Sequence, residues 1–271
     1  MHSFPSDAVH RMITVEATRL SYLDWGGTGS PAVLLHGITS SAATLWQVAG
    51  ALREAGLHPI SFDMPGHGVS EVSRDHAIEA IARLIGEAMQ QLGLTEVTLF
   101  GHSWGGATAL ALASHPVYGR LLKRVVLVDP LLGLDPVWAS ERMPTYTAGV
   151  GGSVEQGLVT VRANNPTWCD EDVYWKAIAL EQCRVVQVEG LFCPPAAWDL
   201  LDRFAQVHVP LLMLVADPTL TVVSPEQLTI AQQSLEGRQA QIVVVPGTSH
   251  NMLRGDDYAV TMPILLRWLK A

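Results

Sequence analysis

Several things are scarce in this chain of 271 residues, and each scarcity narrows what the protein can be. Cysteine occurs only 3 times, as Cys169, Cys183 and Cys193, an odd number with no C-x-x-C pair. That usage fits free thiols in a reducing, cytoplasmic compartment, and no metal site or cofactor is expected. Basic residues are few and scattered, 17 Lys and Arg against 26 Asp and Glu, for a net charge of −9. Nucleic acid and an anionic membrane surface are therefore not expected partners. No uncharged apolar run approaches the roughly 18 residues that a membrane span needs. The opening residues, Met1 to Asp7, lack the basic start and apolar core of a signal peptide. There is also no internal repeat and no low-complexity segment.

What is present is a strand–helix alternation. Hydrophobic residues make up 48% of the chain, ample for one large α/β domain with an insertion. Met12 to Ala17 and Arg19 to Trp25 read as two early strands, Ala32 to Leu35 as a buried one, and Pro59 to Asp63 as the next. Between them Thr44 to Ala55 is amphipathic and helical, and Ile78 to Leu92 carries a helical apolar stripe. Glu96 to Phe100 and Val125 to Val128 are apolar strands. After a long break the pattern resumes with a strand at Pro210 to Val215, a helix at Pro225 to Leu235, a strand at Gln241 to Val245 and a helix from Asp257 to Leu269. Strands apolar throughout and separated by helices predict a mostly parallel sheet covered on both faces.

The stretch most informative about chemistry is Gly101-His102-Ser103-Trp104-Gly105-Gly106. A strand precedes it and a small-residue helix, Ala107 to Ala113, follows. In that setting G-x-S-x-G reads as a nucleophile elbow, a strained turn that lifts a serine hydroxyl above the sheet edge. Side chains at Gly101 and Gly105 would collide as strand and helix close together. Ser103 would also stand at a helix N-terminus, which favours a developing anion.

Together with Leu35-His36-Gly37, the block from Asp63 to Ser70 and Gly247-Thr248-Ser249-His250, in that order, the chain resembles the α/β-hydrolase superfamily over nearly its whole length. The resemblance implies a mostly parallel eight-stranded sheet with helices on both faces and a helical lid inserted after strand six. Residues 131–204, rich in Trp, Tyr and Phe, look like that lid, leaving 1–130 and 205–271 as the core. It further implies Ser103 as nucleophile and His250 as its base, since a free serine is a poor nucleophile. Oxyanion donors would be the backbone N–H groups of Trp104 and, by family analogy, Ile38.

The acid of the triad has two candidates. The family's commonest slot after strand seven falls at Leu220, which cannot serve, with Asp217 earlier in the same loop. That loop is instead similar to one in a haloalkane dehalogenase subgroup, which takes its acid from the end of strand six. Here that place holds Asp129, the preferred candidate, with Asp217 as the alternative. The dehalogenases use aspartate where this chain has Ser103, so acyl chemistry is expected rather than an alkyl-enzyme ester. The expected substrate is a small apolar ester or lactone, with Trp168, Trp175 and Trp198 of the insertion as pocket walls. A carbon–carbon bond hydrolase, acyltransferase or lyase using the same triad, or a receptor with an idle site, are the alternatives. Monomer and homodimer both stay open.

Overall fold

The computed structural model describes residues 4–193 and 197–271; Met1 to Ser3, and positions 194–196 of the insertion, lie outside the described residues. Strands β1 (Val9–Val15) and β2 (Thr18–Asp24) form a hairpin closed by Glu16 and Ala17, with Glu16 at φ 55°. Then come β3 (Pro31–Leu35), α1 (Trp46–Glu54), β4 (His58–Phe62), α2 (Ile78–Gln91), β5 (Val97–His102), α3 (Trp104–Ser114) and β6 (Leu122–Val128).

The stretch without alternation supplies a two-residue strand β7 (Gly133–Leu134) and helices α4 (Pro136–Thr147), α5 (Val154–Asn164), α6 (Asp170–Gln182) and α7 (Val185–Phe192). A second short strand, β8 (Trp198–Asp199), pairs antiparallel with β7. The chain ends with β9 (Leu211–Val215), α8 (Pro225–Ser234), β10 (Ala240–Val244) and α9 (Gly255–Lys270).

The main sheet has eight strands in the order β1-β2-β4-β3-β5-β6-β9-β10. Only β2 runs against its neighbours; every other pairing is parallel. The central strands are buried on both faces, and the period of two sorts their residues. Val125 and Leu127 join α2 and α3 in one core, while Val126 and Val128 join α1 and α9 in the other. Each such side chain contributes roughly 1.5–3 kcal/mol when fully buried. Every residue of α3 is buried, as a helix apolar on all sides must be.

The differences from expectation are at element ends. β1 starts at Val9 because it is a sheet edge with both Val9 and Met12 exposed, a setting in which hydrophobic patterning says little. The first helix opens as a single 3₁₀ turn, Ala42–Leu45, in which the Thr44 hydroxyl donates to the Ser41 carbonyl (2.7 Å) and accepts from the Ser41 N–H (3.4 Å).

Helices α4 to α7 pack above the C-terminal ends of the parallel strands. Their caps are readable locally: Asp135 accepts from the N–H groups of Val137 and Trp138, and Ser153 forms a capping box with Gln156. Three acids, Asp170, Glu171 and Asp172, occupy the first turn of α6, where the helix dipole favours them. Contacts downward include Arg184 N–H to the Gly66 carbonyl at 2.8 Å and Trp46 Nε1 to Asp172 at 3.0 Å.

Candidate active site

Ser103 sits between β5 and α3 with φ 55° and ψ −118°, a backbone conformation that side chains other than glycine avoid. The packing around it explains why the turn is glycine-rich. A Cβ at Gly101 would lie 2.2 Å from the Gly105 carbonyl oxygen, and one at Gly105 would lie 2.3 Å from that of Leu35. Strand, helix and the end of β3 thus meet backbone to backbone. The strained turn is held by Ser103 N–H donating to Val128 O, and by Ala107 and Leu131 N–H donating to Ser103 O, each at 3.0 Å.

The loop after β3 lies against this turn. A Cβ at Gly37 would stand 3.1 Å from that of Ser103, so the half-buried Ile38 is brought beside the serine. Trp104 opens α3 immediately after Ser103, which points its N–H out of the helix N-terminus. Its ring is fully buried 5.2 Å from that of His67, in the core beneath the site.

Three buried histidines brace these loops as neutral rings. His36 Nδ1 donates to Gly37 O (2.7 Å) and its Nε2 accepts from Met64 N–H (2.9 Å). His67 Nδ1 donates to Pro65 O, and its Nε2 accepts from Thr39 N–H at 3.0 Å. His102 Nε2 donates to the carbonyl of His250 at 2.8 Å. Burial holds His36 well below the usual imidazole range. It pushes His67 down to about 4. Burial, reinforced by His250, pushes His102 down to about 3.

His250 lies in the turn after β10 and places Nδ1 2.6 Å from Asp129 Oδ2. Asp129 ends β6 with φ 41° and is wholly buried. Its Oδ1 accepts from Ala216 N–H (3.0 Å) and the Thr221 hydroxyl; its Oδ2 accepts from Val222 N–H (3.2 Å) as well as from His250. Burial alone would raise this carboxyl. The bond and charge of His250, with Thr221 and Ala216, outweigh it, so Asp129 titrates below its ordinary value and is ionised at neutral pH. An ionised acceptor keeps the proton on Nδ1 and leaves the lone pair of His250 on Nε2. Among the described residues no hydrogen bond joins the Ser103 hydroxyl to His250; His102, the residue before Ser103, lies with its ring centroid 4.9 Å from that of His250. Serine–histidine contacts are commonly long before substrate binds.

Asp217 lies at the surface. Its carboxylate accepts from Gly247 N–H (2.9 Å) and from the N–H and hydroxyl of Thr219 (3.0 and 2.7 Å). Those bonds, Gly247 first, hold it below the ordinary carboxylate value. It braces the turn leading to His250 and does not touch the imidazole.

A cavity of about 800 Å³ opens beside His250, walled by Trp138, Tyr146, Trp198, Thr221 and Val222, with Arg142 stacked on Trp138 at 4.8 Å. Of the three tryptophans expected there, only Trp198 lines it. Trp168 packs with Val161, Val173 and Leu180 between α5 and α6, beneath the guanidinium of Arg254 at 5.0 Å. Trp175 lies in the core shared with α9 and donates to Glu171 at 3.1 Å. The α5–α6 pair has a small apolar cluster of its own, to which Trp168 belongs, while Trp175 anchors α6 to the main core.

Sequence reasoning missed Thr221, which is separated from Asp129 by 92 positions and carries no local signal. It also missed Lys176, whose ammonium bonds Thr39 O at 2.7 Å. A signal existed there: Lys176 interrupts an otherwise buried run on α6, with Trp175 before it and Ala177, Ile178 and Ala179 after. Among the described residues no group of three or more His, Cys, Asp or Glu is arranged to hold a metal ion, and no helix is long and apolar enough to cross a membrane.

Comparison with known proteins adds three findings. The model of the alpha/beta hydrolase family matches residues 32–261. N-formylmaleamate deformylase of Pseudomonas putida is 29% identical over 253 residues, 90% of each chain, and the non-heme chloroperoxidase CPO-A1 of Kitasatospora aureofaciens is 26% identical over 268, covering 90% of this chain and 93% of that one. Among solved structures, an esterase from Exiguobacterium antarcticum superposes with a TM-score of 0.77 at 19% identity, over 97% of this chain and 100% of that one. At that identity the likeness is one of fold.

Proposed function

The chain belongs to the alpha/beta hydrolase family, and from that premise we propose that it cleaves a small carboxylic ester or lactone through an acyl-enzyme intermediate. The observation that carries the reading is the 2.6 Å contact between His250 Nδ1 and an ionised, fully buried Asp129. Such a pair makes Nε2 of His250 a base directed by its partner, the arrangement that activates a serine. Ser103 is then the nucleophile. Its Oγ bonds to the substrate carbonyl as its proton passes to Nε2. The oxyanion that forms is received by the N–H groups of Trp104 and Ile38. Collapse expels the alkoxide, which takes the proton from Nε2, and water repeats the sequence to release the acid. Asp129 stabilises the imidazolium in both halves, and Thr221 helps to aim Asp129.

Segment 131–204 acts in this reading as a lid, with α4 and the β7–β8 ribbon roofing the cavity beside His250. Its aromatic walls suit an apolar part of the substrate, and the free thiols suit a reducing, cytoplasmic setting. A second reading is favoured by one finding: the deformylase covering 90% of both chains acts on an N-formyl compound, so cleavage of an activated C–N bond by the same residues is the alternative.

Labelling with a fluorophosphonate probe, followed by turnover of esters, lactones, N-formyl imides and diketones, tests both. Labelled Ser103 with ester or lactone turnover is expected. Absence of labelling on folded protein sinks the serine mechanism, and turnover of imides alone selects the second reading.

A further inference from the structure

Lys176 is outside the residues given a chemical role, yet it reaches the loop beside them. From α6 its ammonium donates to both the carbonyl (2.7 Å) and the hydroxyl (2.9 Å) of Thr39. Thr39 directly follows Ile38, holds φ 58°, and donates its own hydroxyl back to the Ile38 carbonyl at 2.7 Å. Less than two residues of backbone separate the Thr39 carbonyl from the Ile38 N–H. The ammonium therefore stands within roughly 10 Å of that candidate oxyanion donor.

What this ammonium lacks is a counter-charge. Among the described residues no carboxylate lies within ion-pair distance of it. The titratable groups that act on it are Arg254 at the start of α9, His36 and His67 in the loops after β3 and β4, and Cys183 at the end of α6. Both histidines are held neutral. Burial pushes the Cys183 thiol up to about 11, so it too is uncharged. Arg254 is a second cation. Asp172, one turn before Lys176, accepts from Trp46 Nε1 on its Oδ1, and its charge favours Arg254. Arg254 thus has a balancing acid and Lys176 has none, in a chain with 26 acidic residues against 17 basic ones. Burial first, then Arg254, pull Lys176 down to about 7. A side chain that only tied α6 to the Thr39 loop would do so as well through a neutral amide, with no charge to desolvate.

We infer that Lys176 receives a carboxylate of the substrate, so that the acyl compound cleaved at Ser103 carries an acid a few bonds from its scissile carbonyl. Two of the three ammonium protons go to Thr39 and the third is left for this ligand. Residue 176 as a whole is half-buried, not sealed into the core, although its ammonium is desolvated. The substrate is then two-ended, with its acid toward Lys176 and an apolar part in the cavity beside His250. This refines the substrate class and rests on the hydrolase reading for its chemistry, though not for its binding. The bound anion raises the pKa of Lys176, so binding takes up a proton above pH 7, and affinity falls as pH rises further.

The test is calorimetric titration of the whole protein with glutarate and with glutaramide at pH 8, in two buffers of different ionisation enthalpy. Glutarate is expected to bind at least about 10-fold more tightly, with proton uptake. Lys176→Arg should keep that preference. Lys176→Met, and Lys176→Gln, which retains a donor for Thr39, should lose both the preference and the uptake. Equal binding of diacid and diamide, or glutarate binding unchanged in both neutral variants, overturns the inference. With phenyl hydrogen glutarate and phenyl pentanoate as substrates, the wild-type kcat/KM ratio should favour the acid by about 10- to 100-fold and collapse toward one in the neutral variants. An equal loss on both esters makes Lys176 a support of the Thr39 loop and overturns the carboxylate role. If Ser103 takes no fluorophosphonate and neither ester turns over, the hydrolase reading fails, and the glutarate titration alone decides the inference.

Discussion

Replacing Asp129 by asparagine probes the candidate triad most sharply, because the bonds around that carboxylate allow the damage to be counted. Four donors converge on it: Ala216 N–H and the Thr221 hydroxyl on Oδ1, Val222 N–H and His250 Nδ1 on Oδ2. An asparagine has one acceptor oxygen in place of two. Turned with its NH₂ toward Val222 and His250, it sets a donor against two donors; turned the other way, it does so against Ala216 and Thr221. The first orientation forces the His250 proton onto Nε2 and removes the base. The second keeps the tautomer but withdraws the negative charge that stabilises the imidazolium. Either way the expected loss is about 10³- to 10⁴-fold in kcat, or roughly 4–5.5 kcal/mol of barrier. A buried donor left without an acceptor costs about 1–3 kcal/mol, so the melting temperature should fall as well. The assay is kcat on an aryl ester, with circular dichroism and calorimetry to show that the variant is folded. Asp217→Asn is the control. It removes a brace from the Gly247 turn and should cost tenfold at most. A folded Asp129→Asn enzyme within tenfold of wild type, above all if Asp217→Asn collapses, refutes the assignment.

Ser103→Gly should abolish turnover and yet raise the melting temperature, since glycine relieves a φ of 55°, a strain of about 1–3 kcal/mol; an unchanged or lower value on calorimetry means that the turn is not strained. Trp168→Ala and Trp175→Ala should each cost about 3–5 kcal/mol on denaturant unfolding and leave KM nearly alone, whereas Trp198→Ala should move KM among substrates. Stability should fall with acid between about pH 6.5 and pH 4, because the unfolded chain binds protons that buried His67 and His102 refuse. Melting scans across that range should show the slope, and His67→Gln should flatten it; a flat wild-type profile contradicts the burial argument.

Residues whose role is set by near neighbours were legible in the sequence. Gly101 and Gly105 mark a turn where backbone meets backbone, and the apolar runs at Leu99 and Val126 could only be central strands. Asp129 is legible only by likeness to a loop of another family, because the contact it makes spans 121 positions. What escaped reading depends on partners that sequence order does not reveal. Trp168 and Trp175 look like pocket walls until α5 and α6 are seen to enclose them. Thr221 is an ordinary loop threonine until β6 and β9 lie side by side. Lys176 looks like a solvated helix lysine until α6 is laid over Thr39.

The floor of the site and its walls belong to different parts of the chain, and this matters to anyone wishing to retarget the protein. At Gly101 and Gly105 a single added methyl group would meet backbone oxygen at 2.2 and 2.3 Å, so combinatorial libraries at those positions would yield almost only dead clones. Trp138, Tyr146, Trp198 and Val222 stand on α4, β8 and the loop after β9, none of which carries the nucleophile turn. Saturating those four positions together would reshape the cavity beside His250 while the turn at Ser103 stays as it was.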